Sequence, residues 1–194
     1  MRRPLAMLCL LMIASCAPVL KGPLDSASPE AAARTLDHGY GLLVAVLQPE
    51  STVTLIFSVK HASKETESLV RRISNAAANG LQAVQDLQIL APPINTTEQG
   101  LPLIEVSARN YITNTQGAAL LLAGDSFETE LLVTQQKACN YISALANTLA
   151  EADSNEKRST MLKSLAAEFA AFDVEVLARL CICQSIAPER SSSI

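Results

Sequence analysis

A chain of 194 residues with 49% hydrophobic and 18% charged side chains can bury a sizeable core, which excludes a disordered chain. Aromatic residues at 4%, no Trp and only seven Gly leave an aliphatic, Ala-rich interior that suits close-packed helices and excludes a turn-rich all-β domain. The formal charge of −4 becomes −6 once Arg2 and Arg3 are removed, which excludes a footprint for nucleic acid and a polybasic patch for anionic lipid.

Arg2 and Arg3 precede an uncharged apolar run, Leu5 to Ala14. At about ten residues it has half the length needed to span a bilayer, so it reads as the n-region and h-region of an export signal. A buried core helix would need polar residues on one face, and this run has none. It ends in Ile13-Ala14-Ser15-Cys16, which resembles the bacterial lipobox: an aliphatic residue and two small ones before a cysteine. The resemblance covers four residues and stands where the h-region stops. It implies that the Cys16 thiol receives a diacylglycerol, that the chain is cut before it, and that the new amine is acylated, palmitate being the usual chain. Several acyl chains meet the two-anchor requirement for stable attachment. Ala17 is not Asp, so in a Gram-negative host the resemblance implies the outer membrane. An ordinary secretory peptide cut near Ala17 or Gly22 is the competing reading. The segments are then a signal peptide over 1–15, a flexible tether over 16–28, a helical domain over 29–187 and a loose tail over 188–194.

Ser28-Pro29-Glu30 is a helix start, and a first helix is predicted to about Leu47, weakened by Gly39 and Gly41 and ended by Gln48-Pro49-Glu50-Ser51. From Leu55 to Leu87 the apolar residues keep three-and-four spacing, which predicts one long helix, with a strand over Val53 to Val59 as the alternative. Pro92-Pro93 breaks the chain, and the linker to about Pro102 carries Asn95-Thr96-Thr97, a glycosylation sequon only in a eukaryotic host. Leu103 to Leu122 places Ile104, Ala108, Ile112, Ala119 and Leu122 near one side. Asp125-Ser126-Phe127-Glu128 reads as a capping box. The helix it opens carries Phe127, Leu131, Thr134, Ala138, Tyr141, Leu145 and Thr148 as a bundle seam. After a turn at Asp153-Ser154-Asn155, the last helix repeats the spacing with Leu162, Leu165, Phe169, Phe172, Val176 and Leu180, predicting an antiparallel pair.

The stretch from Leu120 to Leu180 is similar in pattern to the ferritin-like bundles of bacterial envelope proteins, including small domains of unknown function. The chemistry of that family does not carry over. A carboxylate-bridged di-iron site takes Glu from two helices and Glu-x-x-His from two more, whereas neither His38 nor His61 has Glu three residues before it. Glu128, Glu130, Glu168, Asp173 and Glu175 read as solvated helix faces, so no metal ligand is assigned. Cys139 lies level with about residue 167 of the partner helix, some 21 Å short of Cys181, which speaks against a bridge; Cys139, Cys181 and Cys183 read as plain buried or terminal cysteines, with an intermolecular disulfide as an alternative. Cys181 and Cys183 have no His nearby and make a weak metal site. His38 lies in Asp37-His38-Gly39-Tyr40, a cluster with proton-transfer chemistry whose plainer reading is an exposed helix-end histidine. Gln135, Gln136 and Asn140 lie beside the seam, where an inward amide sets helix register. No nucleophile motif or phosphate loop is present, so no catalytic residue and no cofactor are assigned.

The expectation is an all-α protein, an antiparallel up-down bundle of about four main helices compatible with a ferritin-like topology. Its function is that of an envelope lipoprotein, attached to the membrane through Cys16, not an enzyme, with a structural or protein-interaction role toward an envelope protein partner. A ferritin-like metal or small-ligand binder is the alternative, and a secreted helical signalling protein the second.

Overall fold

The computed structural model describes residues 28–97 and 101–186. The apolar leader, Cys16, nearly all of the tether and the tail lie outside those residues. Among the described residues the regular elements are all helical: α1 (Pro29–Glu50), a 3-10 turn (Val53–Ser58), α2 (Lys64–Leu87), α3 (Leu103–Leu122), α4 (Phe127–Ala152) and α5 (Glu156–Ile186).

Local signals act where they were read. The Ser28 hydroxyl accepts from the Ala31 N–H at 3.3 Å, with Pro29 opening α1. The helix runs slightly past Leu47 because Pro49 is accommodated in its last turn, where the Ser51 N–H reaches back to the Leu47 carbonyl at 2.9 Å. The long helix expected from residue 55 is not formed, and neither is the alternative strand. Val53–Ser58 winds into the 3-10 turn and buries Phe57; α2 starts at Lys64 because Ser63 caps it, accepting from the Thr66 N–H at 3.3 Å. The apolar periodicity spans a break that only a cap and a buried aromatic reveal.

Tyr40, Leu43 and Leu47 from α1, Ile73 and Val84 from α2, Ile142 from α4 and Phe169 from α5 belong to one core. The closest packing is between α4 and α5. Ser159 donates to the Ala150 carbonyl at 2.7 Å, Ser143 to the Ala166 carbonyl at 2.9 Å, and Gln136 to Asp173 at 3.0 Å. The paired positions recede equally on both sides of the turn at residues 153–155, so these two helices run antiparallel. The α5 stripe is buried as predicted from Leu162 to Val176. The α4 seam holds at Phe127 and Leu131 and is shifted by one position from there on: Gln135, Cys139, Ile142, Ala146 and Leu149 face inward, while Tyr141 and Thr148 are exposed. Leaving Gln135 and Cys139 out of the seam concealed the true stripe.

A second, smaller core gathers Phe57, Val70, Leu120, Phe127 and Leu131. Lys60 closes it by donating to the Ala123 carbonyl at 2.7 Å, just past the end of α3. α3 itself is the largest departure from expectation. The side predicted to face the core is exposed at Ile104, Ala108, Ile112, Ala119 and Leu122, and Leu120 is its buried residue.

By length and composition Pro29–Ser58 could cross a membrane, an 18-residue window of it having a mean hydropathy of 1.4. In this fold Tyr40, Leu43 and Leu47 are fully buried, and 22% of the apolar window is buried in all. Gly39 and Gly41 are explained by the same packing. A Cβ on Gly39 would lie 2.5 Å from the end of the Leu149 side chain, and one on Gly41 2.8 Å from the Thr97 carbonyl oxygen. Backbone cannot swing aside as a side-chain tip can. Gly41→Ala is therefore expected to lower stability by roughly 1–3 kcal/mol despite alanine's better helix propensity. A melting temperature equal to that of the parent would show that the linker at Thr97 yields freely.

Candidate functional site

Three polar clusters are built into the helices, and each takes up a residue named from the sequence, Gln135, Glu128 or Tyr40, with partners the sequence did not indicate. The first joins the end of α1 to the middle of α4. Glu50, the last residue of α1, accepts a hydrogen bond from Gln135 Nε2 at 2.9 Å. Gln135 is 1% exposed, and its own Oε1 has no hydrogen-bond partner. Burial pushes the Glu50 carboxyl up to about 7, the single hydrogen bond from Gln135 being too little to offset it. Cys139 follows one turn further along the same inward stripe. Its thiol is pushed up to about 12 by burial, then by the Glu50 and Asp173 carboxylates, so it stays protonated and un-nucleophilic. A carboxyl that titrates near neutrality is what general acid–base chemistry requires. Here it faces a buried amide between two helices, and acts as a polar contact that sets how α1 meets α4.

The second cluster ties the start of α2 to α4 and α5. The carboxylate of Glu128 accepts from the Ser63 N–H at 3.2 Å, the Ser63 hydroxyl at 2.6 Å and the Thr66 hydroxyl at 2.5 Å. Arg179 of α5 donates to Ser63 Oγ at 2.8 Å and to Glu65 at 3.1 Å. Burial raises the Glu128 pKa, but the three donated hydrogen bonds and the Arg179 charge outweigh it, so the carboxyl is held below its ordinary value. The predicted capping box is consequently not made: Ser126 is the N-cap of α4 without a side-chain hydrogen bond, and Glu128 crosses to another helix. Cys183 Sγ sits 4.0 Å from this carboxylate; burial first, then Glu128, raises its pKa.

The third cluster is the most enclosed. Arg158 and Asp153, both with fully buried side chains, form a two-pronged ion pair, Nε to Oδ2 at 2.6 Å and Nη2 to Oδ1 at 2.9 Å. Tyr40 donates its hydroxyl to Asp153 Oδ2 at 2.6 Å, and Arg158 Nη1 donates to the Leu90 carbonyl at 2.8 Å. Asn155 Nδ2 reaches the Ala91 carbonyl at 2.8 Å, next to the cis Ala91–Pro92 peptide. Burial, followed by the hydrogen bond to Asp153, raises the Tyr40 phenol well above its usual range. Asp153 is raised by burial and lowered more by Arg158, Tyr40 and the Asn155 N–H, ending below its ordinary value. The cluster pins α1, the α4–α5 turn and the chain after α2 at one point.

The Asp37-His38-Gly39-Tyr40 group does not converge. Asp37 accepts from the Asn95 N–H at 2.8 Å, while Tyr40 turns inward to Asp153. His38 is half-buried within α1 rather than exposed at a helix end. Asn95 is exposed, and its Oδ1 accepts from both the backbone and the hydroxyl of Thr97. Cys139 is a buried thiol and Cys183 a half-buried one. Of the helical carboxylates, Glu130 and Glu168 are exposed, Asp173 meets Gln136, and Glu175 pairs with Arg72. Among the described residues no group of three or more His, Cys, Asp and Glu side chains stands where it could hold a metal ion. Sequence reasoning missed Glu50, Thr66, Asp153, Arg158 and Arg179. The one available signal was Asp153-Ser154-Asn155, read only as a turn. No known family model, curated protein or solved structure matches the chain.

Proposed function

We propose that the protein is an envelope lipoprotein, lipidated on Cys16, whose helical domain is non-enzymatic and serves a structural or protein-interaction role. The observation that carries the reading is Ile13-Ala14-Ser15-Cys16 at the end of an apolar run that follows two arginines. In a Gram-negative cell the destination is the outer membrane. The domain is an up-down bundle of α1, α2, α4 and α5, supported by their shared core and by the antiparallel α4–α5 pair. An interaction role is supported by the polar side chains, which are spent joining helix to helix, and by the apolar residues α3 turns outward.

The test is incorporation of labelled palmitate in a bacterial host with and without Cys16→Ser. The parent is expected to take up label and to be processed in a globomycin-sensitive way; Cys16→Ser is expected to lose both. Unchanged processing of Cys16→Ser overturns the lipoprotein reading and returns the leader to an ordinary secretory peptide.

A further inference from the structure

We propose that α3 is a self-association element, through which two copies of the chain pair as antiparallel helices. The proposal rests on the interaction-module reading for its purpose, but not on the lipid anchor. α3 is amphipathic in the wrong sense for a helix of a monomer. Its two charged residues, Glu105 and Arg109, are partly buried and lie close enough to Tyr141 of α4 to shift its phenol. The opposite side has no charge over the full length of the helix. Leu103 (83% exposed), Ile104 (85%), Tyr111 (73%), Leu121 (54%) and Leu122 (85%) all project from it. At 100° per residue these five lie within one 100° sector. Their open area is on the order of 800 Å², the amount each partner contributes to a standard interface and above the patch size ordinary for a monomer.

The arrangement along the helix says what covers this face. Ile104, Ser107, Tyr111, Asn114, Ala118 and Leu121 alternate three and four residues apart, the seam of a helix pair. That seam is nearly palindromic. Large aliphatic residues stand at both ends, small ones next inward at Ser107 and Ala118, and Tyr111 and Asn114 flank the centre. A two-fold axis at the middle of α3 brings Leu103 and Ile104 of one copy onto Leu121 and Leu122 of the other. It also sets Ser107 against Ala118, and gathers both tyrosines and both asparagines at the centre. Self-complementarity of this kind is what an isologous interface demands. The small residues let the backbones approach, and a central asparagine fixes register. A lipid surface fits less well: interfacial helices line their polar side with Lys and Arg, whereas the polar side of α3 has one arginine balanced by one glutamate, and the chain is acidic.

The register gives a discriminating test on the full chain in membranes. Ser107 and Ala118 are eleven residues apart on one helix, about 16 Å, so cysteines placed there cannot bridge within a chain, whose limit is about 7 Å between Cα atoms. In a Cys181→Ser background, Ser107→Cys with Ala118→Cys is expected to form a disulfide-linked species of twice the chain mass on mild oxidation. Its yield should exceed that of either single variant about fivefold or more, since like positions of an antiparallel pair are also about 16 Å apart. Adding Tyr111→Arg should abolish it while leaving the thermal melt unchanged, because Tyr111 is exposed and outside the core. Equal dimer from the single variants overturns the register, and the proposal with it. Monomer throughout with an unchanged melt overturns it as well, whether the face is then found covered by the N-terminal segment or by phosphatidylcholine vesicles. Cross-linking to a chain of different mass does the same in favour of a foreign partner. Palmitate uptake is read in parallel: label retained without dimer sinks the α3 pairing alone, and dimer without label sinks the anchor alone.

Discussion

Arg158→Ala is expected to lower the unfolding free energy by about 3–5 kcal/mol, because it strands a buried carboxylate that has no access to water. The Asp153 side chain is fully buried, and two of its hydrogen bonds come from the guanidinium. Truncation leaves it the Tyr40 hydroxyl and the Asn155 N–H alone. The Leu90 carbonyl loses its donor as well, a further cost if water does not enter. In urea titration the midpoint should fall by about 2 M with little change in slope. A second substitution, Asp153→Asn, should then cost much less in the Arg158→Ala background than in the parent, since the two act as a unit. Additive effects would mean that the pair is not coupled. The pH dependence follows from the lowered Asp153 pKa. A carboxyl whose folded value lies below its unfolded 3.8 contributes stability that is fully present above 3.8 and is lost as pH falls through the folded value. The gap between parent and Arg158→Ala should therefore persist at neutral pH and narrow only in acid.

Glu50→Gln is expected to do the reverse and stabilise the protein, by about 2–3 kcal/mol at pH 8 and by almost nothing at pH 4. The Glu50 carboxyl is raised from 4.5 to about 7 by burial. Between those values the folded state holds a proton that the unfolded chain has released, so stability falls as pH rises through this window and levels off above it. Donor counting agrees with the direction. Gln135 offers one amide group as donor and leaves Oε1 unpaired, so an ionised Glu50 adds only acceptors, whereas a protonated one brings a donor. Glu50 also closes α1 at the end where the helix dipole disfavours an anion. Thermal melts at pH 4, 6 and 8 check this. A difference between parent and Glu50→Gln that does not grow with pH would show that the carboxyl is solvated and titrates in its ordinary range.

The two clusters behave oppositely for a reason visible in their partners. Asp153 sits opposite a guanidinium and is satisfied as an anion; Glu50 has only a neutral amide and is better accommodated as an acid. Neither could be read from sequence, because each joins positions far apart in the chain: Tyr40 to Asp153, and Glu50 to Gln135. Glu128 shows the same limit more sharply. Its spacing from Asp125 satisfies a capping box, yet Ser63 and Thr66 outbid that local use with three hydrogen bonds. Since the Ser63 N–H and hydroxyl both point at Glu128, the carboxylate supports the cap of α2 rather than that of its own helix.

The amino-acid sequence by itself determined the helical class, the start of α1 at Ser28-Pro29, the break at Pro92-Pro93 and the inward stripe of α5. These rest on forces acting within a few residues: a capping hydroxyl, a missing N–H, and an apolar period unbroken by polar intruders. It also carries the lipobox resemblance at Cys16, a local pattern that needs no fold to be read. Only the tertiary structure decided which side of α3 and α4 faces the core, that residues 53–58 turn rather than extend α2, and where the buried carboxylates find their partners. Helix periodicity leaves several faces nearly equivalent in apolar content. The choice among them is made by the neighbours against which each face packs, and those neighbours arrive from distant parts of the chain.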